Sequence, residues 1–506
     1  MTEDDPTLKK AGIRRLLRNP ISMAGVALAI VSAGNIFLFV LLDLIASHPG
    51  PYIGILAYVV APGFLISGLL LIGAGIWRER GRIARNGLVA PQAYPRLDLN
   101  DAATRSAVFS FALFLTLFVM VSSAGSYKAY EFTESVQFCG QTCHVMHPQF
   151  TAYQVSPHAR VACVECHVGS GASSYFKSKL SGTRQLVKVV LNDYPRPIPT
   201  PVRNLRPARD TCEQCHWPKK FYGMQLKTFT HYSSDEENTP HQVRLLINVG
   251  GGDPEVGSPQ GIHWHMNLAN EIEFVATDEH RQVIPYVRVK DAQGAVTEYF
   301  AGDSKLPREQ LAQASRRRMD CVDCHSRPAH NYLAPEQAVD QSLQARRMDS
   351  SLPFIKQQAL AALTGKYETT DAAVQTISQT MRSFYETKYA GLAKARHTEI
   401  DDAVLETQRI FRRTMFPEMK LNWQAHPDNL GHFYFNGCFR CHDGQHVSPE
   451  GKMIRKDCDL CHTVLDQTDV AKSTQPPPTA NFQHPVDIGD LTQVNCSDCH
   501  TGGVSP

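Results

Sequence analysis

The chain's fourteen cysteines form seven close pairs, and a histidine directly follows the second cysteine of every pair. Two residues separate the cysteines in six pairs, and three residues separate them in the first pair. The cysteines are Cys139, Cys143, Cys163, Cys166, Cys212, Cys215, Cys321, Cys324, Cys438, Cys441, Cys458, Cys461, Cys496 and Cys499. The histidines are His144, His167, His216, His325, His442, His462 and His500. Seven copies of one local pattern indicate a chain that folds around seven bound groups.

The C-x-x-C-H spacing is the attachment signature of c-type haem, in which two thiols bind the haem edge and the adjacent imidazole binds the iron. Structural zinc sites also use C-x-x-C pairs, and an even number of cysteines also permits disulfides. Neither alternative requires a histidine after every second cysteine. The pattern therefore predicts seven covalently bound haem c groups, with the wider first motif as a looser variant of the same attachment.

Three apolar segments precede the first motif, at about residues 21–47, 52–77 and 106–126. Each is long enough to cross about 30 Å of hydrocarbon. Lysines and arginines precede the first segment and follow the second, so the positive-inside rule places the N-terminus in the cytoplasm. Residues 1–126 are therefore predicted to be a three-span anchor in a bacterial inner membrane. Three spans place the rest of the chain in the periplasm, where haem is attached to c-type cytochromes.

The polar part of the chain after residue 126 divides into three segments according to where the cysteine–histidine motifs lie. Residues 127–335 contain the first four motifs, residues 426–506 contain the last three, and the spacer at 336–425 contains none. Helical periodicity runs through much of the spacer, at about 350–414. An insertion at about 241–300 is rich in strand-forming residues, with predicted strands at 244–249, 272–276 and 283–289. The predicted fold class is three transmembrane helices plus a mainly helical, loop-rich multihaem domain with a β-rich insertion.

Charge and histidine content limit the possible functions. The formal net charge of +2 provides no basic surface for nucleic acid. Seven haems would add fourteen propionates and make the mature protein strongly negative, which favours lysine-rich partner cytochromes.

Fourteen of the 21 histidines lie outside the motif positions. They are numerous enough to give every haem iron a second imidazole, a ligation typical of electron transfer rather than catalysis.

Further spacings resemble those of the NapC/NirT family of membrane-anchored quinol dehydrogenases. Met146 stands two residues after the first motif histidine, His158 stands nine before the second, and His330 stands five after the fourth. The resemblance implies that Met146 binds the first iron and that His158 and His330 bind irons of other haems. It also implies that Lys179, with Lys177 beside it, lies at the quinol site. Three spans with seven motifs resemble the inner-membrane heptahaem cytochromes of metal-respiring bacteria.

The sequence departs from this family pattern at two places. The extra residue in the first motif leaves His144, Met146 and His147 as competing ligands. The acidic residue expected after the quinol-site lysine is missing, because no Asp or Glu occurs at 168–192. Asp43, near the outer end of the first span, is either a carboxylate at the headgroups or a proton acceptor for quinol. The possible substitutes for the missing acid are Gln185, Asp193, Glu131, Glu134 and Asp43.

The remaining second ligands are predicted from position. His432, His446 and His484 are the candidates for the last three haems. The candidate second ligands of the third haem are His231, His241, His263 and His265. Of these, His265 is preferred. His280 and His397 are predicted to be surface residues.

These features predict a membrane-bound quinol dehydrogenase. It would oxidise menaquinol or ubiquinol from the membrane pool and pass electrons to periplasmic c-type cytochromes or a terminal reductase. The C-terminal three haems would be an added outlet for electrons. Two alternatives stay open: a multihaem reductase of a small oxyanion such as nitrite, which needs a haem with an open iron position, and an electron-transfer subunit of a larger respiratory complex.

Overall fold

The computed structural model describes residues 16–45, 61–86, 98–168, 172–202, 207–217, 220–251, 261–267, 269–469, 482, 484 and 494–503. Contacts divide the chain into two compact units, Met1–Glu134 and Ser135–Pro506. Three consecutive prolines at 476–478 predict a stiff linker before the last motif, and they lie outside the described residues.

The first unit contains three long helices, α1 (Pro20–Ile45), α2 (Ala61–Asn86) and α3 (Ala102–Thr133). Stretches of α1 and α2 are long and apolar enough to cross a membrane. These two helices pack closely, since a β-carbon at Gly25 would stand 2.7 Å from the carbonyl oxygen of Gly68. Small residues permit such an approach between apolar helices.

The second and third helices extend beyond the predicted spans. Helix α2 continues past residue 77 through four arginines and ends at Asn86. Helix α3 has 32 residues, more than the predicted 21, and the Asp101 side chain caps it by accepting a hydrogen bond from the Thr104 N–H at 2.8 Å. Hydropathy marks only the apolar part of a helix, whereas the hydrogen-bond ladder continues into polar sequence.

The second unit is mostly helical. Five of its helices form the spacer between the two groups of motifs, and their apolar faces meet in one core that includes Leu360, Ile377, Met381 and Phe411. The helices of the second unit are α4 (His147–Gln154), α5 (Cys163–His167), α6 (Ala172–Val190), α7 (Ala208–Cys212), α8 (Arg308–Gln313), α9 (Cys321–Cys324), α10 (Pro335–Gln344), α11 (Ile355–Leu363), α12 (Thr370–Lys388), α13 (Ala390–Ala395), α14 (His397–Thr414) and α15 (Cys496–Cys499).

Two antiparallel sheets complete the second unit. One has the strand order β1-β2-β8 and the other has the order β6-β3-β4-β5-β7. The strands are β1 (Met224–Tyr232), β2 (Pro240–Asn248), β3 (Glu271–Val275), β4 (Tyr286–Lys290), β5 (Val296–Ala301), β6 (Arg317–Arg318), β7 (His446–Val447) and β8 (His462–Asp469). A mostly helical domain with β-sheets, following apolar N-terminal helices in the sequence, confirms the predicted fold class apart from its third membrane span.

The sheets join the C-terminal motifs to the rest of the unit. Strand β8 begins at the sixth motif histidine and pairs with β2 from Ile247 to His241. Strand β7, just after the fifth motif, pairs with β5. Near the C-terminus, Gly502 packs against Trp423 of the spacer and against Ala334 just before it, and a β-carbon at Gly502 would stand 2.5 Å from the indole. The predicted segments 127–335, 336–425 and 426–506 therefore share sheets and core.

Candidate haem-binding sites

Most of the cysteine–histidine motifs form a single helical turn. In the third, fourth, fifth and seventh motifs the histidine N–H donates to the carbonyl of the first cysteine, as from His325 to Cys321 at 2.8 Å. Residues three apart lie on one face of a helix, so the turn directs both thiols to the same side. A capping box of Asp320 and Asp323 fixes the start of the fourth motif's turn.

The first motif accommodates its extra residue with a wider turn. Residues Phe138–Thr142 form a π-helical turn, and the Cys143 N–H donates to the Phe138 carbonyl at 3.0 Å. A π-turn has more residues per turn than an α-helix. Cys139 and Cys143, four residues apart, therefore occupy positions comparable to those of cysteines three apart in the other motifs.

Six motif histidines each face a second histidine. The distances between ring centres are 6.0 Å for His158–His216, 6.2 Å for His167–His330, 6.3 Å for His263–His325, 5.8 Å for His265–His442, 6.2 Å for His432–His462 and 6.1 Å for His484–His500. Two imidazoles bound to one metal at about 2.0 Å place their ring centres roughly 6 Å apart. The ring pairs therefore fit an iron between them, and the cysteine pair beside each one fits the haem edge.

Backbone carbonyls orient five of these rings. Each of the five has its Nδ1 atom at hydrogen-bonding distance from a carbonyl oxygen. The distances are 3.0 Å from His158 to Pro328, 3.0 Å from His330 to Gln149, 2.6 Å from His263 to Val249, 2.7 Å from His265 to Ile262 and 2.8 Å from His442 to Arg455. A carbonyl only accepts, so Nδ1 carries the proton and Nε2 keeps the lone pair that a metal requires.

Burial keeps most of these rings neutral. It lowers the pKa of His330 to about 4. Burial also lowers the pKa of other rings in the six pairs, namely His167, His265, His325, His432, His442 and His462. A neutral imidazole is the form that binds a metal, so the environment suits ligation without a competing proton.

His446 was predicted as a second ligand, and the structure contradicts this. Its Nδ1 lies 2.9 Å from a carboxylate oxygen of Asp443, and its Nε2 lies 2.7 Å from the carbonyl of Ile284. Burial disfavours the charged ring, yet Asp443 outweighs burial and raises the pKa of His446. Both ring nitrogens are engaged at the β5–β7 junction, so neither is available to iron.

The two histidines at 263 and 265 serve different motifs. Both lie in a 3-10 helix, Ile262–Met266, and not in the extended segment that an alternating His-Trp-His sequence predicts. Its turn directs His263 towards His325 of the fourth motif and His265 towards His442 of the fifth. His265 therefore does not face the third motif, whose His216 faces His158.

The first motif leaves its ligand set open. Within the described residues His144 faces no second imidazole, and it begins a 3-10 turn that ends at Met146. His147 begins α4 and its ring meets Phe416 edge-on, with 6.2 Å between ring centres.

Consecutive motifs are neighbours in space. The side chains of Cys139 and Cys163 lie close together, as do those of Cys212 and Cys321. Cysteines of the other consecutive motifs are also near one another, namely Cys166 and Cys212, Cys324 and Cys438, Cys438 and Cys461, and Cys458 and Cys496. The seven attachment sites therefore follow one another in the order of the sequence.

The seventh site adjoins a buried charged cluster. Lys356 is 1% exposed, and its Nζ contacts Asp340 at 2.8 Å and Glu336 at 3.5 Å. The other Glu336 oxygen lies 3.9 Å from Nδ1 of His500. The ring of His500 therefore has a carboxylate beside it. Five rings of the other pairs have a neutral backbone carbonyl instead.

The two candidate quinol-site lysines lie on different faces of α6. Residues two apart on a helix point about 200° apart. Lys177 is exposed and shares its face with Arg184 and Lys188, whereas Lys179 is half-buried. The face of Lys179 also presents two exposed apolar side chains, Phe176 (64%) and Leu186 (58%).

The candidate substitutes for the missing acid lie in α1, in α3, and in or just after α6. Glu131 pairs with Lys128 at 2.7 Å, and Glu134 is the C-cap residue of α3. Gln185 donates a hydrogen bond to Ser181 one turn earlier in α6, and Asp193 follows the end of that helix. Asp43 lies in α1, and its side chain is outside the described part of the chain.

Apolar N-terminal helices followed by attachment motifs with paired imidazoles define a membrane-anchored, multihaem c-type cytochrome, which binds its haem covalently. Residues 102–197 match the model of the NapC/NirT cytochrome c family, N-terminal region. The chain is 44% identical over 489 residues to the cytochrome c-type protein ImcH of Geobacter sulfurreducens, which covers 96% of this chain and 95% of that protein. The chain therefore belongs to the NapC/NirT family of c-type cytochromes.

A second relative is similar over the N-terminal part only. The chain is 32% identical over 114 residues to the cytochrome c-type protein NrfH of Wolinella succinogenes, covering 22% of this chain and 63% of that protein. No solved structure matches the chain.

Proposed function

We propose that the protein is a heptahaem quinol dehydrogenase of the bacterial inner membrane. It oxidises menaquinol or ubiquinol at the outer face and delivers electrons to periplasmic c-type cytochromes or a terminal reductase. The observation that carries the proposal is the set of six imidazole pairs beside six attachment motifs. When bound, the haems supply the one-electron chemistry that links the quinol to the acceptor.

The paired imidazoles favour electron transfer over oxyanion reduction. A reductase of nitrite needs an iron with an open coordination position, and a histidine on both sides closes that position. In six motifs the chain supplies both histidines, and buried rings in these pairs are kept neutral. The first motif, at the start of the second unit, is the site left for a weaker ligand such as Met146.

The spatial order of the motifs supports a path that runs along the sequence. Each motif has a cysteine beside a cysteine of the next motif, from Cys139 and Cys163 at the start to Cys458 and Cys496 at the end. We propose that electrons enter near the first motif and leave near the seventh. The three-span topology, with the N-terminus in the cytoplasm, belongs to the same proposal.

The entry site is proposed to include Lys179. An ammonium group near the quinol oxygen stabilises the negative charge that develops as the hydroxyl proton departs. The apolar neighbours Phe176 and Leu186 suit a hydrophobic quinol. Lys177, on the polar face of the same helix, is the weaker candidate, and Asp43 in α1 is the third.

Anaerobic stopped-flow mixing with a menaquinol analogue tests this function. We expect the purified, detergent-solubilised protein to show quinol-dependent haem reduction, measured from the visible absorbance, before dithionite is added. Oxidised menaquinone serves as the control and should leave the spectrum unchanged. Failure of the quinol to reduce any haem that dithionite reduces would contradict the proposal.

The imidazole pairs give a second prediction. We expect seven haems by intact mass and pyridine haemochrome, and replacement of His432 by alanine should convert one low-spin haem to a high-spin haem. His432 faces His462, and alanine leaves one side of that iron open. His397→Ala, at an exposed position in α14, is the matched control. Electron paramagnetic resonance distinguishes the spin states, and an unchanged spectrum in His432→Ala would contradict the assigned pair.

A further inference from the structure

Arg327 is largely buried without a countercharge. Its Nη2 donates to the Thr200 hydroxyl at 3.0 Å, but its buried Nε has no acceptor. Among the described residues no carboxylate forms an ion pair with it, and Asp428 affects it only electrostatically. A buried charge is costly unless it is paired, so the position of Arg327 calls for an anion.

Two more buried polar atoms beside Arg327 lack partners. Within the described part of the chain the Tyr332 hydroxyl and Nε2 of His426 have no hydrogen-bond partner, and these residues are 6% and 4% exposed. Their ring centres are 6.5 Å apart. Thr200 links the group, because its hydroxyl lies 3.0 Å from Nδ1 of His426 as well as from Arg327. Thr200 therefore links Arg327 to His426, and the Tyr332 ring lies beside that of His426.

All three unsatisfied atoms are hydrogen-bond donors. Arg327 can only donate, so the Thr200 oxygen accepts from it and keeps its own hydrogen for donation. When that hydrogen goes to Nδ1 of His426, the ring proton lies on Nε2. A guanidinium, a phenol and an imidazole N–H together match the oxygens of a carboxylate, which accepts only.

We propose that Arg327, Tyr332 and His426 form a carboxylate-binding site for a haem propionate. Arg327 lies two residues after His325 of the fourth motif and three before His330, which faces the second motif. The haem attached at either motif would place a propionate near this site. A free small carboxylate is the other source of the same chemistry, and the experiment separates the two. The proposal goes beyond quinol oxidation and is tested without quinol.

The test is a redox titration of the full-length, detergent-solubilised protein with mediators. Arg327→Gln removes the positive charge beside the propionate. The loss of that charge favours the oxidised haem, which is the more positive form. At a fixed potential we expect the ratio of reduced to oxidised form to fall roughly tenfold for one haem. This is equivalent to lowering the reduction potential of that haem by about 59 mV for one electron. Arg382→Gln, at a surface arginine paired with Asp401, should leave every haem unchanged.

Tyr332→Phe separates direct binding from a distant charge effect. It removes one neutral donor, so it should shift the same haem in the same direction by a smaller amount. It also keeps the proposal testable if Arg327→Gln does not accumulate. A shift in Arg327→Gln alone would contradict direct binding, and no shift in either variant would overturn the site.

Titration of the wild type in increasing acetate identifies the source of the carboxylate. A propionate is covalently part of the haem, so the potentials should not depend on acetate. A saturable dependence on acetate would overturn the assignment to a propionate.

Discussion

Truncation of the chain after Ala425 is expected to abolish accumulation of the whole periplasmic domain, including its first four haem sites. The truncation removes β8 and β7, so the backbone groups of β2 and β5 that pair with these strands are left exposed. It also removes His442, the partner of His265. The loss of sheet partners destabilises the domain, and the open edges of β2 and β5 favour aggregation.

A matched truncation after Asp469 tests the reason for this loss. It keeps both strands and removes only the last motif together with Gly502, which packs on Trp423. We expect this protein to accumulate with six haems at a level well above that of the shorter one. Haem-stained gels and pyridine haemochrome in isolated membranes measure both.

The two truncations also test the proposed outlet. The Asp469 truncation should retain quinol-driven reduction of its remaining haems but transfer electrons slowly to an oxidised periplasmic cytochrome. Wild-type transfer would contradict an exit near the seventh motif. A stable four-haem protein from the Ala425 truncation would instead show that the strand pairing is dispensable.

Lys179→Ala is expected to lower the rate of quinol-dependent haem reduction by roughly tenfold or more. The rate should fall because the ammonium group of Lys179 stabilises the negative charge that develops on the quinol oxygen as its proton leaves. Stopped-flow absorbance with a menaquinol analogue measures the rate. Because Lys179 is not part of the apolar core of the second unit, haem content and dithionite reduction should remain normal.

Lys177→Ala is the matched control for Lys179→Ala. It removes the same side chain two residues away on α6, from the face that Arg184 and Lys188 share. Its quinol rate should remain close to that of the wild type. A reversed result would move the proposed site to the polar face of α6, and normal rates in both variants would direct attention to Asp43.

The sequence alone determined the features that depend on neighbouring residues. Haem attachment needs two cysteines and a histidine within one turn, so the spacing of the fourteen cysteines and seven motif histidines is enough to predict the attachment positions. The apolar helices and the helical spacer were also predictable, since hydropathy and periodicity are local properties. Strands β2, β3 and β4 overlap the β-rich runs for the same reason.

Only the tertiary structure decided which histidine faces which motif and what holds the last three motifs in place. His263 and His265 are two residues apart, yet one turn of 3-10 helix directs them to different motifs. His446 had a suitable sequence position, but Asp443 and Ile284 occupy its ring nitrogens. The polar strand β8 exists because β2, more than 200 residues earlier, supplies its hydrogen bonds. Such contacts join distant parts of the chain, and no local pattern records them.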